Sequence, residues 1–305
     1  MAQLRFETYD VFTEDRFSGN PLAVVFDADN LITDQMQKIA REFNLSETVF
    51  ICAPGSPAAT PAKGSDEADI DASLRIFTPG YEMPFAGHPT VGASIAHARD
   101  ASRSGRINML LQTGVFPVDV QVTDEGGRAT FENPNSPVAS GQAPDPGLIE
   151  DAFSLSAGAI DREAHAPRRF GAGVDYVYAR TDTQSLASAQ FNFAAFDRLG
   201  LGQTDGFVLY TDESADCSTI RMRMFAPGLG IIEDPATGSA AAALPGQLQA
   251  AERWSDGTRS LTVRQGVEMG RPSVISLNFD ITAGEPVNVK VSGSAVKISS
   301  GVLFL

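Results

Sequence analysis

Two turns in this chain carry residue types that can hold an anion and handle a proton. One reads Ala86-Gly87-His88-Pro89-Thr90-Val91-Gly92-Ala93-Ser94 and the other Asp234-Pro235-Ala236-Thr237-Gly238-Ser239-Ala240-Ala241-Ala242. Each places a Pro- and Gly-containing turn ahead of a run of small residues. Pro89 suits the first position of a helix, where its missing N–H would have no partner anyway. The backbone amides from Gly87 to Thr90 would then point out of the helix start. Gly238 and Ser239 hold the corresponding place in the second turn, and glycine lets a ligand approach the backbone. Unpaired N–H groups and the helix dipole favour an anion by about 0.3–1 kcal/mol when exposed, and by up to about 2 kcal/mol when partly buried. His88 can carry a proton near neutral pH, or can be a hydrogen-bonded structural residue. Asp234 can cap its helix or face a ligand, or do both. Ser239 can equally be a helix-surface hydroxyl. Glu47 lies in a polar turn between a helix end and the strand Thr48 to Cys52; its position alone reads as an exposed loop glutamate.

The elements that would position these turns occur twice. Arg75-Ile76-Phe77-Thr78-Pro79-Gly80 returns as Arg223-Met224-Phe225-Ala226-Pro227-Gly228, with four of six positions identical at an offset of 148 residues. Upstream, Leu22 to Phe26 reads as a buried strand. Thr33 can cap a helix with Met36, Ile39, Ala40 and Phe43 on one face, Asn44 can end it, and Thr48 to Cys52 returns as a strand. In the second half Asp175 to Ala179 is strand-like, 182–198 is compatible with a helix, and Gly206 to Tyr210 is the returning strand. Two copies of one domain are expected. Each turn opens a helix whose small side chains, Ala240 to Ala243 above all, would let strands wrap closely around it. Residues 53–72 read as a long acidic surface loop. Residues 133–147, after a hairpin placed at Gly126-Gly127, read as the passage into the second half. The expected domains are 1–126, completed by the C-terminal strand 294–305, and 127–293.

Composition narrows the function classes. The chain has 305 residues, 43% hydrophobic and 20% charged, enough for a sizeable core in each of two domains. Its net charge of −15, from 23 Lys plus Arg against 38 Asp plus Glu, argues against a nucleic-acid partner. No apolar run is long enough to span a bilayer, and Met1 to Asp10 lacks a basic-then-apolar signal pattern, so a cytoplasmic location and no membrane partner are expected. Cys52 and Cys217 form no C-x-x-C and read as inert thiols. No metal or cofactor is expected: there is no phosphate-binding glycine loop, no H-E-x-x-H, and none of the four lysines (Lys38, Lys63, Lys290, Lys297) stands in a Schiff-base motif. His97 and His165 fall in no motif. Arg75 and Arg223 either anchor equivalent strands or bind an anion, with anchoring preferred.

Five segments resemble the phenazine-biosynthesis isomerase (PhzF-like) family. They are Asp10 to Thr13 with Phe17 to Pro21, Asn44 to Thr48, Pro84 to Gly92, Glu233 to Ala241, and Gln265 to Ser273. The resemblance spans nearly the whole chain. It implies an α+β fold like that of diaminopimelate epimerase: two similar domains, each a curled sheet around a central helix, with the site in a cleft between them. It further implies that Glu47 is the general acid/base, that His88, Asp234 and Ser239 orient the substrate, and that Gly87, Pro89, Thr90, Thr237 and Gly238 surround it. Burial raises a carboxyl pKa, leaving such a group able to give and to receive a proton. In the related epimerases and racemases a cysteine stands at each helix start. Neither cysteine does so here, so two-thiol chemistry is not expected.

The expected function is therefore cofactor-independent isomerisation of a small carboxylic acid, in a homodimer. Two alternatives stay open: epimerase- or lyase-type proton transfer on another small acid, and a non-catalytic binding protein that has kept the fold.

Overall fold

The computed structural model describes residues 3–61, 69–202 and 206–305. Contacts divide the chain into two units, Met1–Glu132 with Ser292–Leu305, and Asn133–Val291.

In the first unit the strands are β1 (Gln3–Val11), β2 (Asn20–Val25), β3 (Glu47–Cys52), β4 (Ala72–Phe77), the two-residue β5 (Glu82–Met83), β6 (Gly105–Leu111), β7 (Gly114–Val122), β8 (Gly126–Glu132) and the last part of β17 (Glu285–Phe304). β17 pairs antiparallel with β1 and β1 with β2; β2 and β3 run parallel; β3 and β4 are antiparallel; β4 and β6 are parallel; β6, β7 and β8 form an antiparallel meander. β8 returns to β17, so the eight strands close into a barrel and leave no edge. Helix α2 (Gly87–Asp100) fills it, buried from Gly87 to Ala96 and again at Ala98. Buried on every side, it is a core helix rather than an amphipathic one. Its small residues are a steric requirement: a Cβ on Gly92 would stand 2.5 Å from Leu22 Cδ2 and 2.7 Å from Val11 Cγ2.

Helix α1 (Thr33–Phe43) buries Met36 and Ala40 against Val25, Phe50 and Phe77, with Ile39 and Phe43 packed beside them. Asn44 ends it in the left-handed conformation, φ 51°. Its N-cap is Ile32, not Thr33: the Gln35 side chain accepts the Ile32 N–H at 3.1 Å, while the Thr33 hydroxyl accepts from Arg75.

The second unit repeats this order. β9 (Val138–Ala139) pairs with β10 (Arg168–Gly171), and β10 antiparallel with β11 (Asp175–Arg180). β11 is parallel to β12 (Gly206–Asp212), and β12 antiparallel to β13 (Thr219–Ala226). β13 pairs with the short β14 (Ile231–Asp234) and runs parallel to β15 (Gly257–Gln265), which pairs antiparallel with β16 (Ser273–Thr282). The turn Ala283-Gly284, both at positive φ, leads into β17. This is the type I′ geometry whose twist suits a hairpin. The counterpart of α2 is α6 (Gly238–Glu252), buried at Gly238 and from Ala240 to Leu248.

Four expectations are corrected. The stretch 182–198 is not one helix but α4 (Thr183–Ser188) and α5 (Phe193–Phe196), following an earlier helix, α3 (Pro146–Ala152). The break is fixed because Gln190 and Asn192 donate their N–H groups to the carbonyls of Phe153 and Ala152, and the Asn192 side chain then caps Ala195. The β7–β8 turn lies at Thr123 to Glu125 rather than at Gly126-Gly127. Gly126 opens β8, because a Cβ there would lie 1.8 Å from the Ala295 carbonyl oxygen of β17. Its pairing with β7 places β8 in the first unit, so that unit runs to Glu132 rather than to 126. The stretch 53–72 is not all surface: Ala58 and Thr60 are buried, and the Thr60 N–H donates to Ser73. Residues 62–68 of that stretch lie outside the described residues.

Candidate active site

Glu47 opens β3 beside Leu22 of β2, and His88 is the second residue of α2. Neighbours in register on parallel strands share a face; this turns Glu47 toward the helix. Glu47 Oε2 lies 2.9 Å from His88 Nδ1, with the two side chains 12% and 4% exposed. His88 Nε2 is 3.1 Å from the backbone oxygen of Asn20. A carbonyl can only accept, so Nε2 carries a hydrogen and donates it. A neutral ring then offers a lone pair at Nδ1, and two lone pairs would repel at 2.9 Å. The pair therefore holds one proton between the carboxyl and the ring. Among the described residues, the other Glu47 oxygen takes part in no hydrogen bond.

Around this pair, Gly87, Pro89 and Thr90 are buried in the first turn of α2. Pro89 is the third helical residue, not the first, because Ala86 is the N-cap. The Thr90 hydroxyl donates to the Ala86 carbonyl at 2.7 Å. Tyr81, part-exposed, is an electrostatic neighbour of Glu47. Burial, with the charge of Glu47 added, raises its phenol pKa above the usual value.

The second unit builds its turn differently. Asp234 Oδ2 accepts the Thr237 hydroxyl at 2.5 Å. Gln265, fully buried, accepts the Thr237 N–H at 3.0 Å and donates to the Asp234 carbonyl at 2.7 Å and to the Thr237 hydroxyl at 3.0 Å. The amide thus clamps the turn at both ends. Gly266 follows at φ 72°, where a Cβ would lie 2.3 Å from the Arg271 oxygen and 2.6 Å from that of Pro235. Gln265 and Gly266 therefore brace the Asp234–Thr237 turn. Gly238 begins α6, and Ser239 Oγ is 2.7 Å from the Tyr176 hydroxyl.

Arg75 and Arg223 are structural anchors. Arg75 makes a two-point ion pair with Glu82, both contacts at 2.7 Å, and Arg223 makes one with Glu233 at 2.8 and 2.9 Å. Each ties the strand before its helix to β4 or β13. Cys52 ends β3, buried, its thiol pushed up to about 12 by that burial; Cys217 lies in the turn between β12 and β13, and burial raises its pKa also. Neither is at a helix start. His165 joins a buried chain with Tyr210 and Glu252, and burial lowers the pKa of His97. Among the described residues no group of three or more His, Cys, Asp or Glu could hold a metal, and no helix is long and apolar enough to cross a membrane.

Comparison with known proteins agrees with this architecture. The sequence pattern of the phenazine biosynthesis-like protein family matches residues 9–301. The chain is 39% identical over its whole length to an uncharacterized isomerase of Mesorhizobium japonicum, also covered completely. It is 31% identical to the trans-2,3-dihydro-3-hydroxyanthranilate isomerase of Pseudomonas chlororaphis, covering 97% of this chain and 98% of that one. Among solved structures, a PhzF-family protein of Bacillus anthracis superposes with a TM-score of 0.85 at 23% identity over all of both chains. A hydroxyproline epimerase of Agrobacterium vitis shares the fold at a TM-score of 0.60 and 12% identity, covering 99% of this chain and 92% of that one. With its two repeated α+β units, each built around a buried helix, the chain belongs to the phenazine biosynthesis-like protein family and is an isomerase.

Proposed function

We propose that this isomerase moves a proton on a small carboxylic acid, with Glu47 as the general acid/base and no cofactor. The observation that carries the reading is the Glu47–His88 contact at 2.9 Å, beside a carboxyl oxygen that has no hydrogen-bond partner among the described residues. As a carboxylate, Glu47 takes a proton from one carbon of the substrate; the electron pair shifts along the conjugated system, and the carboxylic acid returns the proton to another carbon. The formula is unchanged and no electrons are exchanged with a carrier. The Nδ1 hydrogen bond of His88 holds Glu47 Oε2 in place throughout, while the other carboxyl oxygen takes up and releases the proton in transit. General acid/base catalysis of this kind contributes about 10²–10⁴ in rate. Asp234, Ser239 and the amides of Gly87 and Gly238 are the groups that orient the substrate, with Pro89, Thr90 and Thr237 shaping their turns.

Relatives about as similar as the one from Pseudomonas chlororaphis share its name, so the proposed substrate class is a cyclic, unsaturated hydroxy acid such as trans-2,3-dihydro-3-hydroxyanthranilate. A cytoplasmic homodimer is the proposed form. The test is incubation with that acid in deuterium oxide, followed by NMR. Isomerised product carrying deuterium on carbon supports the reading; tight binding with neither isomerisation nor exchange would make the protein a receptor.

A further inference from the structure

Because the two units repeat, each residue of the Glu47–His88 pair has a counterpart that can be read from strand register. In the first unit Thr48 faces Phe77 and Phe50 faces Arg75; in the second, Phe207 faces Phe225 and Leu209 faces Arg223. Arg75-Ile76-Phe77 and Arg223-Met224-Phe225 are the repeated segment, so the residue before Thr48 corresponds to the residue before Phe207. Glu47 therefore maps onto Gly206. On the parallel neighbour, Leu22 pairs with Glu47 and Tyr176 with Gly206. At the helix starts, Gly87-His88 maps onto Gly238-Ser239.

The second unit thus has no carboxyl where the first has its proton carrier. A Cβ on Gly206 would come 2.4 Å from Tyr176 Cε1 and 2.5 Å from Cδ1, so the aromatic ring occupies the ground a side chain would need. That ring is buried, 4% exposed, and its hydroxyl meets Ser239, the counterpart of His88, at 2.7 Å. We propose that Tyr176 is a positioning residue for the reaction: it takes the place of a second acid/base and fixes the Ser239 hydroxyl as a neutral substrate-binding group. The duplicated fold then keeps a proton-exchanging pair in one unit and a hydroxyl–hydroxyl pair in the other. Such a pair can bind and orient, but it offers no carboxyl or imidazole through which to exchange a proton with carbon.

The proposal rests on the reading of Ser239 as a substrate-orienting group. Its test compares the parent protein with Tyr176→Phe, Ser239→Ala and the double variant in turnover of trans-2,3-dihydro-3-hydroxyanthranilate. Tyr176→Phe keeps the ring over Gly206 and removes only the hydroxyl. The expected result is a KM raised about five- to tenfold, the effect of one hydrogen bond, with the pH profile of kcat unmoved and the double variant no worse than Ser239→Ala alone. An unchanged KM, a shifted pH profile, or losses that multiply in the double variant would overturn it. Urea unfolding of the same four proteins reads the hydrogen bond without substrate, and additive shifts in midpoint would overturn the proposal by themselves. Glu47→Gln, assayed alongside, separates the two claims: full activity in that variant sinks the acid/base reading, whereas its inactivity beside an unaffected Tyr176→Phe sinks only this one.

Discussion

Glu47 and His88 share one proton across 2.9 Å, because the other nitrogen of the same ring is committed to the backbone oxygen of Asn20. The strand β3 places the carboxyl, the first turn of α2 places the ring, and Asn20 at the start of β2 sets which nitrogen faces Glu47. Three segments far apart in the chain thereby define the protonation of a single contact.

Replacing Glu47 with Gln should abolish turnover and leave the fold and affinity largely intact. The amide keeps the size of the side chain and can still donate to His88 Nδ1, but it cannot pass a proton to carbon. The loss is expected in kcat, by about 10² or more, with KM within a few-fold. Stopped-flow or steady-state kinetics on the purified variant checks this, and near-parental kcat would remove Glu47 from its role.

His88→Asn should lower kcat by about 10²-fold without unfolding the protein. The shorter amide cannot bridge Glu47 and the Asn20 carbonyl together, so the shared proton loses its second site. Kinetics alongside circular dichroism distinguishes this outcome from a folding defect.

Gln265→Met should cost about 1–3 kcal/mol in stability, because the Thr237 N–H and the Asp234 carbonyl lose their buried partner. KM should rise as Asp234 loses its fixed orientation, while proton exchange at saturating substrate changes less. Urea unfolding combined with steady-state kinetics measures both; a variant as stable as the parent would show that the clamp contributes nothing.

Gly266→Ala should destabilise by about 2 kcal/mol or more, combining left-handed strain with a Cβ pressed on two backbone oxygens. Gly270, also at positive φ but with open space around its Cβ, is the control and should tolerate Ala at the cost of the strain alone. Equal midpoints for the two variants would refute the close-packing account.

Neither cysteine should matter to catalysis. A raised pKa means less thiolate at any given pH, so Cys52, whose thiol burial pushes up to about 12, stays protonated near neutral pH and should resist alkylation until the protein unfolds. The double replacement of Cys52 and Cys217 by Ala should keep activity per folded molecule within a few-fold. A 10³-fold loss would instead point to thiol chemistry.

What the chain determined by itself was its duplication and the segments that matter. The echo of Arg75 to Gly80 in Arg223 to Gly228, and the two small-residue runs behind a Pro- and Gly-containing turn, are local patterns, because each unit is built on a thin buried helix and an anchored strand in front of it. Helix α1 was legible for the same reason: its apolar spacing and its left-handed Asn44 are set within one segment. Tertiary structure decided the partners. That His88 meets Glu47, that Arg75 and Arg223 hold Glu82 and Glu233, and that Gln265 braces a turn some 30 residues earlier depend on strand register, which no local pattern encodes. The break between α4 and α5 and the need for glycine at Gly126 and Gly206 were hidden too. Their causes are the carbonyls of Ala152 and Phe153, the backbone of Ala295 and the ring of Tyr176, atoms brought close only when the sheets form.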